Sequence, residues 1–385
     1  MVPFALGFAL SDGERELAVS VEDLARDKIV PIAEEADGGD ELHPGVVDVI
    51  RESGLFRHFV PEEHGGAGLS VTTLALIRER LAYYSVAADE FFVSQGIPVQ
   101  PIALFGSDEQ KREHLAALLD GRRLFSFCLT EPTAGSDVLG IRTTARAVGD
   151  GYVLDGAKRY AFAGNVADTL LVFAKTGEAD QRGNITAFLI DRPDRGMTAT
   201  FFPLMAPGPE WELQFEQCVI PSDAVIGGVG KGAQIALGNL DRLRPSVGAA
   251  AIGMAQRALD EATAYVQQRQ AFERPLSMNQ GLRFALAERT AEIDAARSLV
   301  YGAARFADTT NDPHLVRTSS AKAKLFATEA AQRAIDASLQ FHGGVGLARG
   351  SVTERLYRAI RATRIYEGSA EVMKIVIARS ILGKG

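Results

Sequence analysis

Cysteine is nearly missing from this sequence. Among 385 residues only Cys128 and Cys218 carry a thiol, far apart and in apolar surroundings. That excludes a disulfide framework and any zinc-ligand spacing, and points to a reducing compartment, with the cytoplasm as the expected location. The six histidines are scattered, with no HExxH and no His/Cys cluster, so no metal is expected. Basic residues are in the minority, 41 against 49 acidic, for a net charge of −8. A nucleic-acid binder would need clustered basic surface, so no nucleic-acid partner is expected. No apolar run approaches the roughly 20 residues of a membrane-spanning helix. Val2 to Leu10 is apolar but short and lacks a basic lead. A soluble protein with no membrane partner is expected. Two nucleotide-binding signatures also fail. GGVGKG, Gly227 to Gly232, has no Ser or Thr after its Lys, and no GxGxxG follows a strand in a βαβ unit.

Apolar residues make up 46% and charged residues 23%, which suits a large buried core of two or three domains. The first third reads helical. Ser11 to Glu35 has apolar residues near helix spacing, with Ser11 as N-cap. Pro44 to Leu55, Ser70 to Tyr84 and Ala87 to Phe105 follow, with loop chemistry at Pro61 to Gly68. Ser107 caps a further helix that stops at Gly121. From Leu124 to about Gly230 the runs FSFCLT, YVLDG, TLLVFAKT, ITAFLI and WELQFEQCVI are short, β-prone and separated by turn residues. With no helices between them they predict an antiparallel sandwich or barrel. After Gly232 the helical period returns. Asp241 begins a long helix whose apolar face runs to Tyr265. Gly281 to Phe306, Leu315 to Phe341 and Glu367 to Leu382 complete a four-helix bundle.

Several stretches carry candidate chemistry. Thr130 to Asp137, TEPTAGSD, can aim several backbone N–H groups at one anion, with hydroxyls from Thr133 and Ser136; it can equally be a surface turn. Lys158 to Asn165 is aromatic-rich at a strand end, where core packing is the plain alternative. Arg269, beside Phe272, can meet helix C-terminal carbonyls or clamp a phosphate from another chain. Phe341 to Gly346, FHGGVG, can be a C-cap or can admit a flat ligand against bare backbone. Tyr366-Glu367-Gly368-Ser369 sets a carboxylate beside a residue without Cβ. Taken alone, that Glu reads as a solvated helix-start residue.

Taken together and in order, these segments resemble the acyl-CoA dehydrogenase family of flavoproteins. The resemblance runs through CLTEPTAGSDV, YVLDGAKRY, LDRLRPSVGAAAIGMAQRALDEA, QRQAFERP, LQFHGGVG and IYEGSAEV, nearly the whole chain. It implies an α+β fold: a helical domain over 1–123, a β-sandwich or barrel domain over 124–232 and a four-helix bundle over 233–385. It implies FAD as cofactor and α,β-dehydrogenation of an acyl thioester, acyl-CoA to trans-2-enoyl-CoA. Glu367 would be the base that takes the α-proton, while the β-hydride passes to flavin N5. The Glu367 N–H would hold the thioester carbonyl, a preorganised donor where enolate charge develops. Burial under substrate would raise the pKa of Glu367. Tyr366 and Gly368 would line the substrate site and Ser369 would reach the FAD phosphates. Leu129, Thr130, Ser136, Tyr160 and Phe162 match flavin-side positions, with Ser136, Asp241 and Arg244 on the substrate side. Arg269 and Phe272, and Gln340, Gly343 and Gly344, match contacts to the FAD of a neighbouring subunit. A homo-oligomer, mostly a tetramer in the family, is therefore implied, with an electron-transfer flavoprotein as electron acceptor.

Three departures from the family pattern stand out. Tyr160-Ala161-Phe162-Ala163 puts Phe162 where a hydroxyl normally bonds flavin N5. Pro207 to Trp211 replaces a stretch bearing Arg and Ser or Thr. Glu273 stands where Gly usually follows Phe272. The first motivates two alternatives: the same chemistry on an acyl or aminoacyl group tethered to a carrier protein, or an oxidase that uses oxygen. Tyr83, Tyr84, Phe91 and Phe92 belong to helices that line the acyl-tail pocket in the family. Their bulk suits a short or cyclic acyl group or ordinary core packing.

Overall fold

A computed structural model describes residues 10–177, 183–193 and 195–383. The helices, in chain order, are α1 (Asp12–Leu24), α2 (Val30–Ala36), α3 (Pro44–Glu52), α4 (Val71–Tyr84), α5 (Val86–Phe105), α6 (Asp108–Leu119), α7 (Gly232–Gln268), α8 (Gln280–Thr309), α9 (Pro313–His342), α10 (Val352–Thr363) and α11 (Ala370–Leu382). Between α6 and α7 lie β1 (Phe125–Cys128), β2 (Thr144–Val148), β3 (Gly151–Phe162), β4 (Thr169–Lys175), β5 (Ile185–Asp191), β6 (Met197–Phe201), β7 (Glu210–Pro221) and β8 (Val225–Ile226). The chain divides into two compact units. One holds residues to 38, 70–89 and 241 onward; the other holds 39–69 and 90–240.

The first unit is helical. Ser11 caps α1, and Glu14 returns the bond to the Ser11 N–H at 2.8 Å, a capping box that fixes where the helix starts. The expected single helix to Glu35 is interrupted by a wider π-turn at Ala25–Ile29, just ahead of Pro31 in the first turn of α2. Ser70 caps α4, and its hydroxyl bonds Asp308 of α8 at 2.8 Å. Helix α4 runs so close to α7 that a Cβ on Gly253 would stand 2.2 Å from the Glu79 carbonyl oxygen, which explains glycine there. Glu79 is buried. It receives Arg297 at 2.9 Å and the Tyr301 hydroxyl at 2.7 Å, both from α8. Buried polar groups of this kind hold only when every partner is supplied.

Two expected starts move. Helix α7 begins at Gly232, not Asp241, because no residue between them stops a helix; Asp241 lies more than two turns inside it. Helix α11 begins at Ala370, not Glu367, because Glu367 and Gly368 both have positive φ and Ser369 is the N-cap. Helix α10, bracketed by the Ser351 cap, was not expected.

The second unit is built on one sheet ordered β6-β7-β3-β2-β4-β5-β8, with β1 on β4. Most neighbours are antiparallel; β1 pairs β4 in parallel, as β2 does at one position. Strand β4 is buried along its whole length, and β5 at all but its last residue, consistent with their unbroken apolar runs. Cys128 and Cys218 are free thiols within this core. Phe91 and Phe92 pack on Phe56 and Phe59, with Phe59 and Phe92 centroids 4.8 Å apart. In the helical unit Tyr83 gives its hydroxyl to Asp260 at 2.8 Å. Tyr84 meets the Tyr83 ring edge-on at 4.8 Å. Among the described residues no helix is long and apolar enough to cross a membrane. The apolar Val2 to Leu10 stretch falls, apart from Leu10, outside the described residues.

Candidate active site

The Glu367 segment lies in the link between α10 and α11. The Ala370 N–H reaches the Arg364 carbonyl at 2.9 Å, closing a turn with Glu367 near its tip. Arg364 ties that turn to Glu329 of α9 at 2.9 Å. Glu367 has φ 52° and Gly368 φ 98°. The left-handed setting costs a residue with a Cβ about 1–2 kcal/mol, and the surroundings hold it there. Arg244 of α7 donates from Nε to the Glu367 carbonyl at 2.9 Å. Lys324 of α9 donates from Nζ to the Tyr366 carbonyl at 2.8 Å and the Gly368 carbonyl at 2.6 Å. Three consecutive carbonyls are thus taken by two buried cations, each bond worth about 1.5–3 kcal/mol. A Cβ at Gly368 would meet Met373 Cε at 2.7 Å, the movable end of a flexible side chain, so it is the φ of 98° that calls for glycine here.

The Glu367 carboxylate is enclosed, and its Oε2 has no hydrogen-bond partner. Burial raises its pKa; Arg78, Lys324 and Arg244 pull it back down, and Asp89 adds to the rise. Arg78 is itself buried, paired with Asp89 at 2.8 Å through both Nε and Nη2, and donating to Ser246 at 3.1 Å. Burial pushes the Lys324 amine down to about 8, against the pull of Glu367. Asp241 is held by Arg244 and, at 2.5 Å, by Arg317. Its carboxylate therefore orients Arg244. Among the described residues no acceptor takes the Glu367 N–H. The arrangement can accept a proton at a buried carboxylate and present a main-chain donor beside it.

Arg269, Phe272, Gln340, Gly343 and Gly344 lie at the far ends of α7 and α9, all exposed. The Tyr265 and His342 rings stack at 4.5 Å and bring those two ends together. Phe272 is 94% exposed at φ 53°, in the tight two-strand turn β9 (Gln270–Ala271) to β10 (Arg274–Pro275). Ser369 accepts the Val372 N–H at 3.3 Å as the α11 cap.

In the sheet unit the TEPTAGSD stretch is a pinned turn. Glu131 and Ala134 exchange main-chain bonds at 3.0 and 3.2 Å. The Glu131 carboxylate is buried and accepts the N–H groups of Arg142 and Thr143 at 2.5 and 2.9 Å. Lys158 of β3 reaches Glu131 at 2.8 Å and the Leu129 carbonyl at 3.1 Å. Burial alone would raise the Glu131 pKa, but Lys158 and the N–H groups hold it below the usual range. The Thr130 carbonyl takes the Arg159 N–H at 2.8 Å, while Ser136 stands exposed. After Lys158 the β3–β7 register breaks, and Tyr160 sits at φ 59° with its ring 46% exposed, edge-on to Phe202 at 5.3 Å. Phe162 lies opposite Glu210, so the two side chains share a face. Glu210 Oε2 is shut from solvent without a partner, and burial with no cation nearby raises that carboxyl to about 7.

Residues 11–122, 126–218 and 230–382 match, in turn, the N-terminal, middle and C-terminal domains of acyl-CoA dehydrogenase. The chain belongs to the acyl-CoA dehydrogenase family. It is similar to the 3-(aryl)acrylate reductase of Clostridium sporogenes, 35% identical over 94% of this chain and 96% of that one. Among solved structures, butyryl-CoA dehydrogenase from Megasphaera elsdenii has a TM-score of 0.91 at 31% identity, over 98% of this chain and 100% of that one. An acyl-CoA dehydrogenase complexed with FAD from Bacillus anthracis has a TM-score of 0.89 at 29% identity, over 97% of this chain and 68% of that one. This family member is accordingly an FAD-dependent oxidoreductase.

The residues present fit that cofactor. In the sheet unit Tyr160 offers a half-exposed ring, and Thr130 and Ser136 offer hydroxyls. Phe162 adds an apolar face and no hydroxyl. Four groups around these positions were missed from sequence: Lys324, Arg78, Asp89 and Glu210. For the first two the only signal was a cation amid a helix's small or apolar residues, as in SSAKAKLFAT and LALIRERLA.

Proposed function

We propose that this protein dehydrogenates an acyl thioester at its α,β carbons, with Glu367 as the base. The observation that carries this reading is a carboxylate whose Oε2 is buried without a partner, next to a main-chain N–H that no acceptor among the described residues takes. Glu367 removes the α-proton, and enolate charge develops on the thioester oxygen. The Glu367 N–H donates to that oxygen, and such a donor already in place stabilises the enolate more than water would. Arg244 holds the carbonyl of the same residue. Burial of the carboxylate keeps its affinity for the proton high. FAD bound here would supply the acceptor for the β-hydride, so that the product would be the trans-2-enoyl thioester. Leu129, Thr130, Ser136, Tyr160 and Phe162 would hold the flavin from the sheet unit. Ser369, with Arg269, Phe272, Gln340, Gly343 and Gly344, would contact its phosphates and adenine, the last five across a subunit interface. The exposed Phe272 supports an oligomer. A CoA ester, with an electron-transfer flavoprotein as acceptor, is the substrate pair this reading favours.

The test is anaerobic titration of the flavoprotein with a panel of acyl-CoA esters, following bleaching of the flavin band. Bleaching by one ester, lost in Glu367→Gln with FAD still bound, is the expected result. Bound flavin that no CoA ester bleaches would sink the reading in favour of carrier-tethered substrates. Peroxide release at the rate of turnover would mark an oxidase instead.

A further inference from the structure

Lys324 has no part in the chemistry described so far except through main-chain carbonyls. It is fully buried on α9, on a face otherwise made of Ser320, Ala321, Ala327, Thr328 and Ala331. Carrying an ammonium into such a place is costly unless its donors are used. Two are used, on the carbonyls immediately before and after Glu367. Arg244 takes the carbonyl between them. Those carbonyls belong to residues outside any helix or strand, one of them at positive φ with a full side chain.

We propose that Lys324 is a positioning residue for Glu367, holding the carboxylate and its N–H in their left-handed setting by taking the carbonyls on either side. The proposal rests on Glu367 being the base. Neutralising Lys324 has two separable consequences. Loss of the donors lets the turn relax toward right-handed φ and moves the carboxylate off the substrate α-carbon. Loss of the charge removes one cation that favours ionised Glu367. The other charged and titratable groups facing Glu367 are Arg78 of α4, Asp89 of α5 and Arg244 of α7, which is itself paired with Asp241, with Tyr366 beside it in sequence. Glu371 of α11 faces Lys324. The remaining cations keep Glu367 ionisable, so the effect is a displacement of its titration and not a loss of it.

The experiment compares holoenzyme of wild type, Lys324→Met, Lys324→Gln and Glu367→Gln. Stopped-flow flavin reduction is followed against pH, and the Glu367 carboxyl is titrated by 13C NMR without substrate. Lys324→Met removes charge and donors; Lys324→Gln removes charge and keeps two N–H donors. Both should move the acid limb of the rate profile, and the NMR titration, upward by about one pH unit. On the plateau Lys324→Met should fall about 100-fold, the effect of a misplaced group, with Lys324→Gln well above it. Unmoved titration and acid limb in both variants, or a wild-type plateau in Lys324→Met, overturns the proposal. If Glu367→Gln still reduces its flavin, the base reading fails first and the result is told apart. Should neither lysine variant fold, a crystal structure of the wild-type holoenzyme decides. Nζ within hydrogen-bond distance of both carbonyls upholds the clamp, and Nζ elsewhere overturns it.

Discussion

Lys158→Met attacks the device that fixes the TEPTAGSD turn. The Lys158 and Glu131 side chains are 0% and 3% exposed, and their ion pair spans 2.8 Å. Removing one partner of a buried pair leaves the other charge uncompensated, at about 3–5 kcal/mol. Here Glu131 keeps the N–H groups of Arg142 and Thr143, which places the loss near the low end. The Leu129 carbonyl also loses its donor, about 1 kcal/mol. The expected destabilisation is about 3–4 kcal/mol at pH 7.5, read from urea unfolding at fixed FAD concentration. Wild-type Glu131 has a depressed pKa, so its contribution is present above the unfolded-state value and lost as pH falls through the folded one. In the variant, burial without Lys158 raises the same carboxyl instead. It then takes up a proton more readily than the unfolded chain, and the penalty shrinks as pH falls. Measured at pH 5.5, the difference from wild type should narrow. Adding Glu131→Gln should recover about 2 kcal/mol of the loss at pH 7.5, because no charge is then stranded. A loss equal at both pH values, or a double variant as unstable as Lys158→Met, would refute the account.

Three further outcomes follow from the geometry. Gly368→Ala places a Cβ 2.7 Å from Met373 Cε at φ 98°. It should cost at least about 1–2 kcal/mol in thermal unfolding and slow flavin reduction more than it weakens FAD binding. Glu210→Gln should flatten a stability slope. A carboxyl at about 7 in the folded chain and near 4.5 unfolded loses stability as pH rises between those values. The variant should gain up to about 3 kcal/mol at pH 8 and nothing at pH 4, and a wild-type slope retained in the variant would contradict this. Phe272→Ser should shift the protein toward smaller species in analytical ultracentrifugation and loosen its FAD, because a side chain 94% exposed in one chain has its burial to gain on assembly.

Much of the framework was legible because it depends on local signals. Ser11 and Ser107 each cap the helix expected of them, and the five apolar runs between Leu124 and Gly230 are β1, β3, β4, β5 and β7. Strands β2 and β6 were missed because TARAV and MTATF are short and half polar, with exposed positions along each. Asp241 was read as a helix start, yet the pull on it is tertiary: Arg244 and Arg317 hold it in mid-helix. Glu367 was read into a helix. Nothing in IYEGSAEV announces a positive φ on Glu, since that setting is enforced by side chains over 40 residues and more away in sequence.

The same separation explains why the supporting cations escaped notice. Main chain outside helix and strand has carbonyls that lack the usual donors and cannot be left buried without a partner. Each unit meets this need with a buried lysine. Lys324 serves the carbonyls flanking Glu367, and Lys158 serves the carbonyl of Leu129 while neutralising Glu131. A lysine is suited to the task because one compact ammonium carries three donors on a stem long enough to reach from a regular element into a loop. Its burial is the cost. Burial pushes both amines below their ordinary range, Lys324 to about 8. Lys324 therefore favours folding more as pH rises from about 8 toward its unfolded-state value near 10.5, where the unfolded chain binds more protons. A clamp of this kind is strained at the pH where it works. That is expected when the lysine serves to hold a reactive turn in place, because a residue selected for stability alone would be apolar at this position.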